Sequence, residues 1–134
     1  MRLHESEKAD MSMFAMRVPN FDGSNSAFLH FGRIIRDLFG NIAKITEYKD
    51  ATDEEKQILE VNPGIYMFRS NWLWDHIGEI NPTNAQNEYY LTDIVEIAIQ
   101  EQVLVHSLPI SSKEILGINT AEQLAEAERR IKSR

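Results

Sequence analysis

A helical stripe followed at once by a strand-like run sets the tightest limit on what this chain folds into. From Glu88 to Gln102 the apolar residues Leu91, Ile94, Val95, Ala98 and Ile99 recur at helical spacing and form one broad face. Val103 to Leu108 then reads as a strand. The same alternation runs through the rest of the chain. Met11 to Val18 reads as a buried strand ending at Pro19-Asn20, and Asn20 to Ala27 as a loop. Leu29 to Arg36 and Ile42 to Tyr48 read as strands of a β-hairpin joined through Asp37-Leu38-Phe39-Gly40-Asn41. Thr52 and Glu55 are spaced as a capping box, opening a short helix that ends near Glu60. Val61 to Phe68 alternates as a strand, with Val61, Ile65 and Met67 on one face. Asn71 to Ile77 reads as a helix, broken by Asn81-Pro82-Thr83-Asn84. A last helix, Thr120 to Ile131, opens on a Thr120/Gln123 capping box and closes on basic residues that suit its dipole. Strands alternating with helices imply an α/β fold.

A chain of 134 residues suits one compact domain, so residues 1–134 are read as a single unit. The net charge of −7 leaves no basic surplus to neutralise phosphates, which argues against nucleic acid or an anionic membrane as partner. There is no cysteine, which excludes disulfides, thiolate nucleophiles and cysteine-based metal sites. The polar start, Met1-Arg2-Leu3-His4-Glu5-Ser6-Glu7-Lys8, lacks the apolar run of a signal peptide, and no stretch is long enough to span a bilayer. A cytoplasmic location is the expectation.

Searches for common catalytic patterns return little. Gly23, Gly32, Gly40, Gly64, Gly78 and Gly117 are too dispersed for a phosphate-cradling loop. His4, His30, His76 and His106 show no metal-ligand spacing, and no serine sits in a nucleophile-elbow context. Polar residues do interrupt or end the apolar strands: Gly32, Glu47 and Asn62. Such positions either form the mouth of a ligand crevice in an α/β sheet or serve turn chemistry. The stretch Asn84-Ala85-Gln86-Asn87-Glu88-Tyr89-Tyr90-Leu91-Thr92-Asp93 also has two readings. One is a helix N-terminus with Asn87 as cap, Glu88 in the first turn and a tyrosine in the core. The other is a helix start whose hydroxyl donors and aromatic platform suit a sugar.

Five segments together resemble the UDP-N-acetylglucosamine pyrophosphorylase domain. They are Phe31-Gly32-Arg33-Ile34-Ile35-Arg36-Asp37, Glu47-Tyr48-Lys49-Asp50-Ala51-Thr52, Glu60-Val61-Asn62-Pro63-Gly64-Ile65, the Asn84–Asp93 stretch and Leu116-Gly117-Ile118-Asn119-Thr120. They follow the family's order at similar spacing from about Met11 to Ile131, and the Asn84–Asp93 piece is the most specific. The resemblance implies a partial Rossmann-like nucleotide-diphospho-sugar transferase fold, a mixed sheet with flanking helices. It implies the joining of UTP to N-acetylglucosamine 1-phosphate with release of pyrophosphate, assisted by magnesium. Carried over residue by residue, Gly32 approaches the sugar through its backbone, and Glu47 and Asn62 bond its hydroxyls. Tyr90 and Thr92 line the sugar and its N-acetyl group, and Asn119 helps hold magnesium. Phe31 stands where the family often has tyrosine, and Pro63 where threonine is common.

The family's glycine-rich nucleotide loop, with its arginine and lysine, and its magnesium aspartate have no counterpart in these residues, nor has the acetyltransferase domain of its bifunctional members. The chain is therefore expected to be the sugar-binding half of the domain, with sugar 1-phosphate and nucleotide sugar as ligands and no turnover by itself. Loss of neighbouring strands leads us to expect an unpaired edge and an apolar face, hence self-association or low stability. Three situations fit: an enzyme part completed by a separate nucleotide-binding half, a non-catalytic nucleotide-sugar-binding or regulatory module, or a truncated gene product.

Overall fold

The structure, a computed structural model, describes residues 9–118 and 120–132, with the backbone only at Arg130. Strand β1, Met11–Arg17, is the spine of a six-stranded mixed sheet. A short 3-10 helix, Gly23–Phe28, leads to β2, Arg33–Arg36, and β3, Ile42–Thr46, which form the expected antiparallel hairpin. Helix α1, Asp53–Lys56, carries the complete capping box: Thr52 Oγ1 accepts from Glu55 N, and the Glu55 carboxylate from Thr52 N. Strands β4, Glu60–Val61, and β5, Tyr66–Phe68, precede helix α2, Ser70–His76, and helix α3, Asp93–Gln100. Strand β6, Val105–Ile110, and helix α4, Ala121–Lys132, complete the chain, and Thr120 and Gln123 form the reciprocal bonds of the second capping box.

β1 is paired on both edges. β6 runs parallel along Met11 to Met16, so β4 and β5, both antiparallel, share the opposite edge. They are two pieces of one strand path, which corrects the unbroken strand expected over Val61 to Phe68. The interruption has a local cause. Pro63 has no N–H to offer a ladder, Gly64 sits at φ 74°, and Asn62 Oδ1 accepts from Gly64 N at 3.0 Å. Val61 and Met67 still face the same side, opposite Met16 and Ser12, while Ile65 lies in the break and is exposed.

Residues alternating along the strands build a core on each face of the sheet. On one face Met11, Met13, Ala15, Ile34, Ile42 and Ile45 pack with Ile94, Val95 and Ala98 of α3. On the other, Met16, Val18 and Val61 pack with Phe28 and Ile115. Full burial of Ile94 and Val95 contributes roughly 1.5–3 kcal/mol each. The helical stripe thus places α3 correctly, but the helix is shorter than the expected Glu88 to Gln102. It ends in a Schellman motif: Gln102 adopts φ 59°, Gln102 N donates to Ile99 O, and Val103 N donates to Ala98 O. Its late start belongs to the site.

Candidate functional site

A crevice of about 410 Å³ opens where several regular elements stop. The segment entering β2 supplies His30, Phe31 and Gly32, the residue after β3 supplies Glu47, and the β4–β5 break supplies Asn62, Pro63 and Gly64. Tyr66 comes from β5, and Tyr89, Tyr90, Leu91 and Thr92 come from the approach to α3. All five substrate-contact candidates from the sequence, Gly32, Glu47, Asn62, Tyr90 and Thr92, therefore line one cavity. Asn119 lies outside the described residues.

The segment before α3 is a loop, not the helix N-terminus expected with Asn87 as cap and Glu88 in the first turn. Asn84 knots it: Oδ1 accepts from Gln86 N and Glu88 N, both at 3.2 Å, and Nδ2 donates to Glu88 O. Asn87 takes the left-handed φ of 55°, which an asparagine tolerates. Asp50 Oδ1 accepts from Ala85 N at 2.8 Å, and Lys49 Nζ donates to Gln86 Oε1 at 2.6 Å, fastening the loop to the chain beyond β3. Thr92 then occupies the N-cap position of α3 without capping it. Its hydroxyl donates instead to Glu47 Oε1 at 3.1 Å, across the floor of the crevice.

The floor is polar and largely sequestered. Asn62 and Thr92 are buried. Burial pushes the Glu47 carboxyl above its ordinary value; the Thr92 hydroxyl opposes this, and the charges of Asp50 and Asp93 add to it. Asn62 Nδ2 donates to Tyr66 Oη at 2.6 Å, and Asn62 N donates to Gly32 O at 2.8 Å, so the β4–β5 break is locked to the entrance of β2. Burial raises the Tyr66 hydroxyl well above its usual range, the Asn62 bond opposes that, and the Glu47 charge reinforces it. Tyr90 is raised for the same first reason, with Asp50, Glu88 and Glu47 adding and its bond from Gln86 opposing. Both tyrosines remain neutral hydroxyls at neutral pH. At Gly32 a Cβ would stand 3.4 Å from both Glu47 Oε1 and Ile45 Cγ2, so glycine leaves that carboxylate its room.

Glu47, Tyr90 and Thr92 also form the partition to a second crevice of about 450 Å³, which runs past Lys44, Asp50, Asp93 and Glu96. Among the described residues no group of three or more histidine or acidic side chains could hold a metal ion. Two of the histidines have other contacts: His30 meets the Tyr48 ring edge-on at 4.7 Å, and His76 Nε2 lies 2.9 Å from Glu101 Oε2. No helix among the described residues is long and apolar enough to cross a membrane.

Sequence reasoning did not single out Tyr66 or Arg33, and it named Tyr89 only as one of two tyrosines crowding a helix start. The Pro63-Gly64 pair was the available signal for Tyr66, since a break there folds the chain so that Tyr66 reaches back to Asn62. Arg33 gives less away. It is fully buried, with its guanidinium 4.5 Å from the centre of the Phe21 ring and 5.3 Å from that of Tyr48. It donates to Leu29 O at 2.9 Å, to Lys56 O at 3.3 Å and to Phe31 O, so it holds the segment that carries His30, Phe31 and Gly32 to the crevice.

No protein-family model matches the chain. Curated relatives named bifunctional protein GlmU do. One from Clostridium kluyveri is 45% identical over 104 residues, covering 78% of this chain and 23% of that protein. One from Pelotomaculum thermopropionicum is 48% identical over 105 residues, covering 78% and 23%. One from Pelobacter propionicus is 38% identical over 132 residues, covering 98% and 27%. The chain thus spans about a quarter of the length of the curated relatives it matches. Among solved structures, the nucleoside-diphosphate-sugar pyrophosphorylase from Vibrio cholerae RC9 superposes with a TM-score of 0.62 at 12% identity, over 93% of this chain and 48% of that one. At that identity the likeness concerns fold. The chain is GlmU-like in sequence, and its mixed sheet with flanking helices has the fold of a nucleotide-sugar pyrophosphorylase.

Proposed function

We propose that this chain supplies the sugar-recognition part of a nucleotidyltransferase that joins UTP to N-acetylglucosamine 1-phosphate. The observation that carries the reading is the convergence of Gly32, Glu47, Asn62, Tyr90 and Thr92 on one cavity, from four separate segments. Its chemistry suits a sugar. A carboxylate accepts from hydroxyls, a buried amide both donates and accepts, and neutral tyrosine and threonine hydroxyls do either. Ligand hydroxyls would take over the Glu47 oxygen that Thr92 occupies, and Gly32 leaves the approach to that carboxylate open.

Attack on the α-phosphate of UTP needs donors that neutralise charge at phosphorus. The described residues do not form a magnesium site by themselves, and Asn119 could supply one oxygen to a hard ion that prefers six. Turnover on this reading requires a glycine-rich nucleotide-binding part from a longer polypeptide or a partner. Calorimetric titration with N-acetylglucosamine 1-phosphate tests the recognition half: binding that Asn62→Ala and Thr92→Ala weaken supports it, and no heat of binding at millimolar ligand overturns it. Mixing with a nucleotide-binding half should then yield uridylyltransferase activity. Binding with no turnover, despite demonstrated association, would point to a non-catalytic binding module.

A further inference from the structure

The lip of the crevice differs from its floor. Glu47, Asn62 and Thr92 make the floor polar, whereas Tyr89, Leu91 and Pro63 bring apolar surface to the rim. Tyr89 is 73% exposed, and among the described residues its ring has neither a hydrogen-bond nor an aromatic partner. It is nevertheless held in place. Asn84 ties both the N–H and the C=O of Glu88, the residue before it, and in the residue after it, Tyr90, the carbonyl accepts from Asp93 N and the hydroxyl from Gln86 Nε2. An aromatic ring whose backbone is fixed on both sides while its face is left to solvent at the mouth of a polar cavity is arranged to receive a ligand.

A pyranose matches that division of labour. In the gluco configuration its hydroxyls are equatorial and lie around the periphery of the ring, while the axial C–H bonds gather on its faces. With the hydroxyl edge directed into the floor, a C–H face is presented to the lip. We propose that Tyr89 is the stacking platform of this crevice, taking the C–H face of a pyranose whose hydroxyl edge meets Glu47, Asn62 and Thr92. This rests on reading the crevice as a sugar site, and it adds a contact that the resemblance to the pyrophosphorylase domain does not assign.

The test titrates the whole chain with N-acetylglucosamine and, separately, with N-acetylglucosamine 1-phosphate. Tyr89→Ala should weaken both by about fivefold, the size expected of a stacked ring contact. The stacking face is the one opposite the axial 1-phosphate, so the factor should be equal for the two probes. Tyr89→Phe should stay within about twofold of the parent, since the ring and not the hydroxyl makes the contact. Saturation transferred from protein to ligand should be strongest at the ring C–H protons and fall there in Tyr89→Ala. Exposure of the side chain predicts unchanged circular dichroism and thermal midpoint in both variants. Tyr89→Ala binding as tightly as the parent, or Tyr89→Phe as weakly as Tyr89→Ala, overturns the platform. The sugar reading survives that result if Asn62→Ala still weakens binding; a parent chain that binds neither probe overturns both.

Discussion

Arg33 offers the sharpest test of how the crevice is held. Arg33→Met keeps most of the apolar stem and removes every donor. Three main-chain carbonyls, at Leu29, Phe31 and Lys56, then lose their partner in a part-buried setting. An acceptor left unsatisfied costs about 1–3 kcal/mol, and losing a desolvated cation over aromatic rings costs up to about 2 kcal/mol more. Against this, the substitution removes a buried charge that no carboxylate among the described residues bonds, recovering several kcal/mol of desolvation. With the acceptors at the middle of their range, the balance is a net loss of about 3 kcal/mol, a large fraction of a small domain's stability. Urea unfolding followed by fluorescence of Trp72 and Trp74 should show the midpoint falling by about 1–2 M. Arg33→Lys should lose about 2 kcal/mol, because an ammonium cannot reach all three carbonyls or stack as a plane. In the folded Lys variant the Leu29–Gly32 segment should loosen and sugar binding weaken. An Arg33→Met protein as stable as the parent, or more so, would refute the reasoning by showing that desolvation outweighs the carbonyl bonds.

Two further outcomes concern positions on either side of α3. Glu47 has a folded-state pKa above its unfolded value, so its stabilising contribution is complete below the unfolded pKa and is lost as pH rises through the folded one. Glu47→Gln should therefore unfold at a higher temperature than the parent at neutral pH, and the gap should close in acid. The parent's sugar affinity should decline as acid protonates this carboxyl above the usual carboxylate range, whereas any affinity left in Glu47→Gln should be flat with pH; calorimetry across about pH 4.5–7.5 checks both. Gln102 holds a left-handed φ of 59° at the end of α3, which glycine adopts without a Cβ penalty. Gln102→Gly should stabilise the protein by about 0.5–1 kcal/mol in thermal unfolding, and a loss of that size would show that the glutamine side chain has a compensating contact.

Local chemistry was the legible part of this fold. The β2–β3 hairpin, both capping boxes and the buried stripe of α3 depend on neighbours a few residues apart, and each is recognisable from spacing. Arg33 was not legible, because an arginine inside an apolar strand run looks solvent-facing until Phe21, Tyr48 and Lys56 O, at sequence separations of 12 to 23 residues, close around it. The loop position of Tyr89 was hidden by the opposite problem. Helical periodicity assigned it to a helix, and the contacts that unwind that turn come from Lys49 and Asp50, more than thirty residues earlier.

Four places where the pattern ran longer than the element lie together. β2 begins at Arg33 although its apolar run starts at Leu29, β3 stops at Thr46 although its run reaches Tyr48, the Val61–Phe68 path breaks after Val61, and α3 starts at Asp93 although its stripe starts at Leu91. Each of those four truncations leaves a residue lining the crevice: Gly32, Glu47, Asn62 and Thr92. Each also has its own cause: the carbonyls captured by Arg33, the approach to Thr92, the Pro63-Gly64 turn and the Asn84 knot. Continued periodicity would have spent the same backbone groups on ladders and helical bonds, with the side chains committed to the core. Conflict between pattern and structure concentrates at sites that do something other than hold the fold together. Here it selects the same cavity as the sequence motifs, by an argument that owes nothing to the resemblance.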